Sequence, residues 1–158
     1  MVKPKKLKPG SKIGIVSPSY WLNKDDLEKS AKYFSNAGYG LKLGRSNHLQ
    51  YGPFAGTAQE RADDINEMFS NPEIDAIFCA RGGYGANKVL PLIDYENIRA
   101  NPKIFLGYSD ITAYLTSITQ KTDLVTFHGP MLSSFRNEFV QYNYDSMVNM
   151  LELSSKVT

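Results

Sequence analysis

Ser109 is the residue whose type and setting point most directly to chemistry. It follows an apolar run, 104–106, and a single glycine, Gly107, and it precedes a stretch with helical character. A serine on a tight strand-to-helix turn has its hydroxyl lifted above the sheet, beside the free N–H groups and positive dipole end of the helix. Such groups stabilise an oxyanion, so Ser109 is a candidate nucleophile and the N–H of Asp110 a candidate oxyanion donor.

Helix capping is the alternative interpretation of the same turn. Serine and aspartate are both preferred at N-caps, so Ser109 or Asp110 would equally satisfy the first N–H groups of the following helix. The turn also contains Gly-Tyr-Ser-Asp instead of the full Gly-x-Ser-x-Gly pattern. The local sequence by itself favours capping over catalysis.

A second candidate is the glycine loop, Arg81-Gly82-Gly83-Tyr84-Gly85, which follows the apolar run 74–80. Its glycines free the backbone to present N–H groups, so Gly83 is a candidate second oxyanion donor. A phosphate-binding loop is another interpretation, although the full dinucleotide fingerprint and a Gly-Lys-Ser/Thr ending are both absent. A plain tight turn is the third, and the local sequence leaves all three open.

The elements that must position these loops follow from hydrophobic periodicity and caps. Strands are predicted at 13–17, 39–43, 74–80, 104–106 and 124–127. Helices are predicted between Asn23 and Gly38, after a Thr57/Glu60 capping box up to Asn71, around 89–93, and at 110–120 and 142–153. This alternation predicts an α/β domain with a doubly wound, mostly parallel sheet and helices on both faces. Ligands bind such sheets beyond the carboxyl ends of the strands.

Composition limits the function classes. A chain of 158 residues that is 42% hydrophobic has room for one domain with a proper core. The net charge is only +2, and the basic residues are scattered except in the segment 3–8, which we expect to be mobile. This excludes a nucleic-acid footprint, and no apolar run approaches membrane-spanning length. We therefore expect a cytoplasmic protein that binds neither nucleic acid nor membrane.

The cysteine count excludes further sites. Cys79 is the single cysteine and lies in an apolar run, so it can form neither an internal disulfide nor a cysteine-based metal site. We expect it to be a small core residue rather than a reactive thiol. The sequence indicates no metal and no cofactor.

Ordered motifs that run through nearly the whole chain allow a more specific assignment. They are 7–19 (LKPGSKIGIVSPS), 54–57 (FAGT), 61–64 (RADD), 80–87 (ARGGYGAN), 92–95 (LIDY), 101–103 (NPK), 107–113 (GYSDITA) and 126–131 (TFHGPM). Together they resemble the LD-carboxypeptidase family of serine peptidases. That family includes the murein tetrapeptide LD-carboxypeptidases and the microcin C immunity peptidases.

The resemblance implies a Ser-His-Glu hydrolase in which Ser109 is the nucleophile and the N–H groups of Asp110 and Gly83 line the oxyanion hole. It therefore reverses the local preference for capping. The implied reaction is hydrolysis of the C-terminal amide of a murein LD-peptide, releasing D-alanine, or of a microcin-C-like peptidyl-nucleotide. In the family, the glutamate and the histidine come from a C-terminal domain. We expect 1–153 to be the nucleophile-bearing domain, 154–158 to begin a linker, and the isolated chain to be inactive.

The other candidate residues each allow two interpretations. His128 at a strand end is either a substitute base or a structural histidine, and His48 is expected at the surface. Arg81 either holds a substrate carboxylate or pairs with a local acid. Gly82, Tyr84 and Tyr108 are candidate substrate-binding residues. Aromatic residues beside glycine loops also pack as core, as Tyr20 and Trp21 equally could.

Two further functional hypotheses remain beside the enzyme. One is a non-catalytic α/β module that binds a small anion or nucleotide at the glycine loop. The other is a chain whose face, normally covered by a second domain, drives self-association or a homodimer.

The acids Asp94 and Asp110 are interpreted as helix caps rather than as members of a catalytic triad.

Overall fold

The computed structural model describes residues 1–136 and 141–153. The strands are β1 (Lys12–Val16), β2 (Gly40–Leu43), β3 (Ala76–Cys79), β4 (Ile104–Gly107) and β5 (Phe127–His128). The α-helices are α1 (Lys24–Asn36), α2 (Ala58–Ser70), α3 (Ala86–Val89), α4 (Tyr95–Ala100), α5 (Thr112–Thr122) and α6 (Gln141–Leu153). Short 3-10 helices cover Arg45–His48, Leu90–Leu92, Ser109–Ile111 and Leu132–Phe135. The predicted linker at 154–158 lies outside the described residues.

The strands form one parallel sheet in the order β2-β1-β3-β4-β5. From β1 the chain passes to β2 on one side, and it then returns to place β3 on the other side of β1. This reversal confirms the predicted doubly wound α/β fold. It also creates a switch point between β1 and β3, the place where open parallel sheets generally bind ligands.

Helices cover both faces of the sheet, as predicted. On one face, α2, α4 and α5 contribute Ile65, Ile98 and Ile118 to a buried cluster that includes Cys79. On the other face, the core contains side chains from α1, α6 and the Leu132–Phe135 turn. Successive residues of β3 and β4 alternate between the two clusters, which is why both strands are apolar throughout.

Cys79 is a core residue, as expected. Its side chain is fully buried, and burial raises the pKa of the thiol, which keeps it in the unreactive protonated form. Within the described ranges, no group of three or more His, Cys, Asp or Glu side chains is arranged to hold a metal ion. Among the described helices, none is long and apolar enough to cross a bilayer.

Several predicted helix boundaries are confirmed by their caps. The Asn23 side chain accepts a hydrogen bond from the N–H of Asp26. Thr57 and Glu60 form the predicted capping box. Gly38 follows α1 with a φ of +94°, a left-handed conformation that glycine adopts without strain.

The predicted cap at the Ser109 turn is absent. Neither Ser109 nor Asp110 caps the helix with its side chain, since the Ser109–Ile111 turn and α5 both begin without a side-chain cap hydrogen bond. Asp94, in contrast, accepts from the N–H of Asn97 and caps α4 as expected. The capping interpretation of the Ser109 turn is therefore wrong.

The start of the chain also differs from the prediction. The N–H of Val2 donates to the carbonyl of Asp123 at 2.7 Å, and the N–H of Val125 donates back to Val2 at 2.8 Å. Leu7 is buried in the core. The basic segment 3–8 is thus anchored by the backbone hydrogen bonds of Val2 and by the buried side chain of Leu7. The lysine-rich pattern gave no indication of this packing. β5 itself is limited to Phe127–His128, and Leu124 pairs with Val2 instead.

A buried polar network fixes the loops after β1 and β2. The Asp64 carboxylate on α2 accepts from the N–H groups of Arg45 and Ser46, at 2.9 and 2.8 Å, and from the Ser46 hydroxyl. The Ser46 hydroxyl oxygen in turn accepts from the N–H of Ser17 at 2.9 Å. A Cβ at Gly44 would lie 2.3 Å from an Asp64 oxygen, so only glycine allows this approach.

Replacement of Asp64 tests this network. Asp64→Ala leaves two backbone N–H groups and the Ser46 hydroxyl without their acceptor, so we expect a loss of about 3 kcal/mol in unfolding free energy. Asp63→Ala is the matched control, because the neighbouring Asp63 is exposed and, among the described residues, is hydrogen-bonded through its side chain only to Gln59, one turn away. The control is expected to stay within about 0.5 kcal/mol of the parent chain. Urea denaturation measures both, and equal losses would contradict the role of Asp64.

Candidate active site

The candidate residues gather at the carboxyl edge of the sheet. The loop after β1 (17–21), the glycine loop after β3 and the turn after β4 all follow strand ends that pair in parallel. Since parallel neighbours end at the same edge, residues far apart in sequence meet here. Ser19 and Asp110, for example, are 91 positions apart and are hydrogen-bonded.

Ser109 has an unusual backbone conformation. Its φ is +63°, the left-handed region, which a non-glycine residue enters at a cost of about 1–2 kcal/mol. Its side chain is exposed at the edge. No described side chain or backbone group is hydrogen-bonded to its hydroxyl. Gly107 makes the turn possible, because a Cβ there would lie 2.6 Å from Cγ2 of Ile111, which packs beneath the turn.

The glycine loop lies directly against Ser109. A Cβ on Gly82 would stand 2.9 Å from the Cβ of Ser109 and 3.0 Å from its Oγ. Gly83, with a φ of +149°, approaches the Tyr20 ring so closely that a Cβ would lie 2.4 Å from Cγ. Gly85, with a φ of +104°, is constrained in the same way, since a Cβ there would lie 2.8 Å from Cε1 of Phe54, so all three glycines are required where the loop approaches its neighbours. The following helix, α3, is a single turn and has little dipole to offer a phosphate.

The Asp110 carboxylate joins three loops. Its Oδ2 accepts from the hydroxyl of Ser19 at 2.6 Å and from the N–H of Ala86 at 3.2 Å. Ser19 belongs to the loop after β1, and Ala86 begins α3 immediately after the glycine loop. The sequence indicates a role for the backbone of Asp110 but not this function of its side chain, because nothing in the local pattern links positions 19 and 110.

Arg81 and three tyrosines surround this edge. The Arg81 Nε donates to the carbonyl of Gly82 at 3.3 Å, and its guanidinium lies 5.7 Å from the centre of the Tyr20 ring. Within the described part of the chain, Arg81 forms no ion pair with a carboxylate, so the predicted pairing with a local acid is absent there. Tyr84 is 65% exposed and Tyr108 39% exposed, so neither is a core residue.

Both histidines are exposed. The ring of His128 is 6.2 Å from that of Tyr108, centre to centre, and both residues line a cleft of about 310 Å³. No hydrogen bond joins His128 to Ser109 in the described structure. His48 ends the 3-10 helix Arg45–His48, on the opposite side of β1 from β4. The arrangement thus supplies Ser109 with no hydrogen-bonded base from the described residues.

A buried cation lies beneath the loop after β1. Arg61 is only 3% exposed, and its Nη1 donates to the carbonyl of Pro18 at 2.9 Å. The Tyr114 hydroxyl donates to the same carbonyl at 2.8 Å. Burial lowers the pKa of Arg61, and the nearby Tyr114 and Asp110 oppose that shift. Burial likewise raises the pKa of Tyr114, which keeps it a neutral donor. Arg61 belongs to the motif 61–64, but the sequence alone indicates no role for it.

Comparison with known proteins gives consistent matches. A family model described as LD-carboxypeptidase N-terminal domain matches residues 13–129. The chain is 43% identical over 132 residues to the Bacillus subtilis protein named Probable murein peptide carboxypeptidase, covering 84% of this chain and 41% of that protein. It is 36% identical over 148 residues to the Escherichia coli Microcin C7 self-immunity protein MccF, covering 90% of this chain and 43% of that one.

Solved structures agree with these matches. The structure of MccF in complex with glutamyl sulfamoyl guanosine superposes with a TM-score of 0.92 at 35% identity, covering 98% of this chain and 48% of that one. The structure of muramoyltetrapeptide carboxypeptidase from Oxalobacter formigenes superposes with a TM-score of 0.82 at 25% identity, covering 89% of this chain and 47% of that one. The chain therefore spans less than half the length of each of these relatives.

Strain at Ser109 is open to direct measurement. Glycine adopts the left-handed region freely, so we expect Ser109→Gly to be more stable than Ser109→Ala by about 1 kcal/mol. Thr116, exposed in the middle of α5, is the matched control. At that position the Ala variant should be more stable than the Gly variant by about 1 kcal/mol in unfolding free energy. Urea unfolding of the four variants provides the comparison. The same order at both positions would contradict strain at Ser109.

Proposed function

The chain belongs to the LD-carboxypeptidase family, and on that premise we propose that it carries the nucleophile of a serine carboxypeptidase. Ser109 is the proposed nucleophile. The observation that carries this proposal is the left-handed φ of +63° at an exposed serine on the turn between β4 and α5. Strain of this kind persists where surrounding structure enforces it, and it clusters at functional positions. A helix cap would require no such strain.

The proposed reaction is acyl transfer through Ser109. The hydroxyl oxygen attacks the carbonyl carbon of the C-terminal amide while a base takes its proton. The N–H groups of Asp110 and Gly83 stabilise the resulting oxyanion. The protonated base then gives its proton to the leaving amine, and water hydrolyses the acyl-enzyme. The close approach of Gly82 to Ser109 supports this assignment, because it brings the glycine loop to the nucleophile.

The general base and its orienting acid are proposed to come from a C-terminal domain. A serine hydroxyl is a poor nucleophile unless a base lies within hydrogen-bond reach. Neither His48 nor His128 is hydrogen-bonded to Ser109 among the described residues. The relatives named as carboxypeptidases are more than twice as long as the matched segment, which leaves room for a histidine and a glutamate. We accordingly propose that residues 1–158 alone are inactive.

Murein LD-peptides and microcin-C-like peptidyl-nucleotides are the two proposed substrate classes. The names of the relatives support both, since murein peptide carboxypeptidase and MccF match at 43% and 36% identity. Arg81 is proposed to hold the substrate carboxylate, because its guanidinium lies beside the glycine loop and the Tyr20 ring without an acidic partner among the described residues. Gly82, Tyr84 and Tyr108 are proposed to line the same site. The cytoplasmic location and self-association remain predictions.

Activity measurements test the nucleophile. The proteins are residues 1–158 and the full-length protein, meaning this chain with any sequence that its gene encodes beyond Thr158. We expect release of D-alanine from a murein tetrapeptide, or cleavage of an aspartyl sulfamoyl adenosine analogue, by the full-length protein alone. Ser109→Ala should reduce kcat at least 1,000-fold.

Three outcomes would contradict the proposal. Hydrolysis by residues 1–158 that Ser109→Ala abolishes would refute the need for a second domain. Full activity of Ser109→Ala in the full-length protein would refute the nucleophile. Nucleotide binding in a calorimetric titration, with neither substrate cleaved by the full-length protein, would favour the non-catalytic binding module.

Gly82→Ala tests the contact between the glycine loop and Ser109. The added methyl group would overlap Ser109, so we expect kcat to fall about 100-fold as the loop or the serine shifts. Gly40→Ala in β2 is the matched control, because its Cβ meets Lys12 at an ordinary 3.5 Å. The control should keep parental kcat. Unchanged kcat in Gly82→Ala would show that this contact is not required.

A further inference from the structure

We propose that the Ser19 hydroxyl and the Asp110 carboxylate form a positioning pair that fixes the two oxyanion N–H groups relative to each other. The inference rests on the proposed function, in which those N–H groups belong to Asp110 and Gly83. It assigns a role to two side chains, whereas the oxyanion hole itself requires only backbone. Ser19 and Asp110 are positioning residues, because neither side chain is proposed to touch the reacting atoms.

Ser19 is a rigid donor. Its side chain is fully buried, and its carbonyl accepts from the N–H of Ala55 at 3.0 Å. The preceding Pro18 carbonyl is held by Arg61 and Tyr114 together. Because the backbone of Ser19 is fixed on both sides, its buried hydroxyl needs a hydrogen-bond acceptor close by. Oδ2 of Asp110 is that acceptor, at 2.6 Å.

The same carboxylate oxygen reaches the glycine loop. Oδ2 of Asp110 also accepts from the N–H of Ala86, which directly follows Gly85. This one oxygen therefore connects Asp110, whose N–H is the first oxyanion donor, to the end of the glycine loop. The second oxyanion donor, the N–H of Gly83, belongs to that loop. Charge supports this arrangement, because Asp110 interacts favourably with the buried Arg61 guanidinium. Charged acceptors make the stronger hydrogen bonds.

Oxyanion stabilisation is sensitive to this geometry. Loss of one complete donor typically costs 100- to 1,000-fold in kcat. A loosened pair of donors should cost less than that and should leave ground-state binding unchanged. The expected signature is therefore a lower kcat at constant KM. A purely structural role would instead lower stability and the amount of folded protein.

The first experiment needs no activity. NMR order parameters of the Asp110 and Gly83 N–H groups are measured in residues 1–158 and in Ser19→Ala. We expect values near 0.85 in the parent chain and below about 0.6 in the variant. Ser30→Ala is the matched control, because Ser30 is equally buried and its hydroxyl has no hydrogen-bond partner in the described structure. Unchanged order parameters in Ser19→Ala would overturn the proposal.

The second experiment measures kinetics in the full-length protein. Ser19→Ala and Asp110→Ala should each lower kcat about 10- to 100-fold at constant KM, and Ser30→Ala should leave it unchanged. Asp110→Asn should lose less than Asp110→Ala, because one amide oxygen can accept both hydrogen bonds. A rise in KM at constant kcat would overturn the positioning role.

The two proposals fail separately. If the parent protein hydrolyses neither substrate, the proposed function fails, and the order parameters alone decide whether Ser19 and Asp110 fix the two N–H groups. If Ser19→Ala does not fold, the partly exposed Asp110→Ala is used for both measurements. An active parent protein whose Asp110→Ala variant keeps full kcat and rigid N–H groups would overturn the positioning pair alone.

Discussion

The close approach of glycine backbone to neighbouring side chains at the carboxyl edge is the constraint on which the site depends. The glycine loop can lie against the Ser109 turn only because Gly82 has no side chain, since a Cβ there would overlap the serine. Gly107 permits the same closeness between the turn and Ile111 beneath it. The sheet brings these segments to one edge, and the missing side chains let them meet.

Polar contacts then hold these segments in place. Asp64 fixes the loop after β2 through the Ser46 hydroxyl, and that hydroxyl accepts the N–H of Ser17. Two residues further along, Ser19 donates to Asp110 on the Ser109 turn. A continuous path of backbone and of buried or partly buried hydrogen bonds thus joins α2 to the strained serine. Networks of this kind rigidify a site when all their members are satisfied.

Much of the fold was predictable because its strands and helix caps are determined by residues close together in the sequence. The apolar runs of β3 and β4, the Asn23 cap and the Thr57/Glu60 capping box each depend on neighbouring residues. The errors arose where distant contacts override the local pattern. The lysine-rich start is anchored by Leu7 and Val2, and the apparent cap at Asp110 is engaged by Ser19, 91 positions away.

The sequence by itself determined the alternation of strands and helices, the order of the motifs and the family to which they belong. It also identified Ser109 and the glycine loop as the segments of interest. Only the tertiary structure decided between a cap and a strained turn at Ser109, and only it joined Ser19, Ala86 and Asp110. The physical reason is that a backbone dihedral and a hydrogen bond between loops depend on how the sheet packs, which no local stretch of residues encodes.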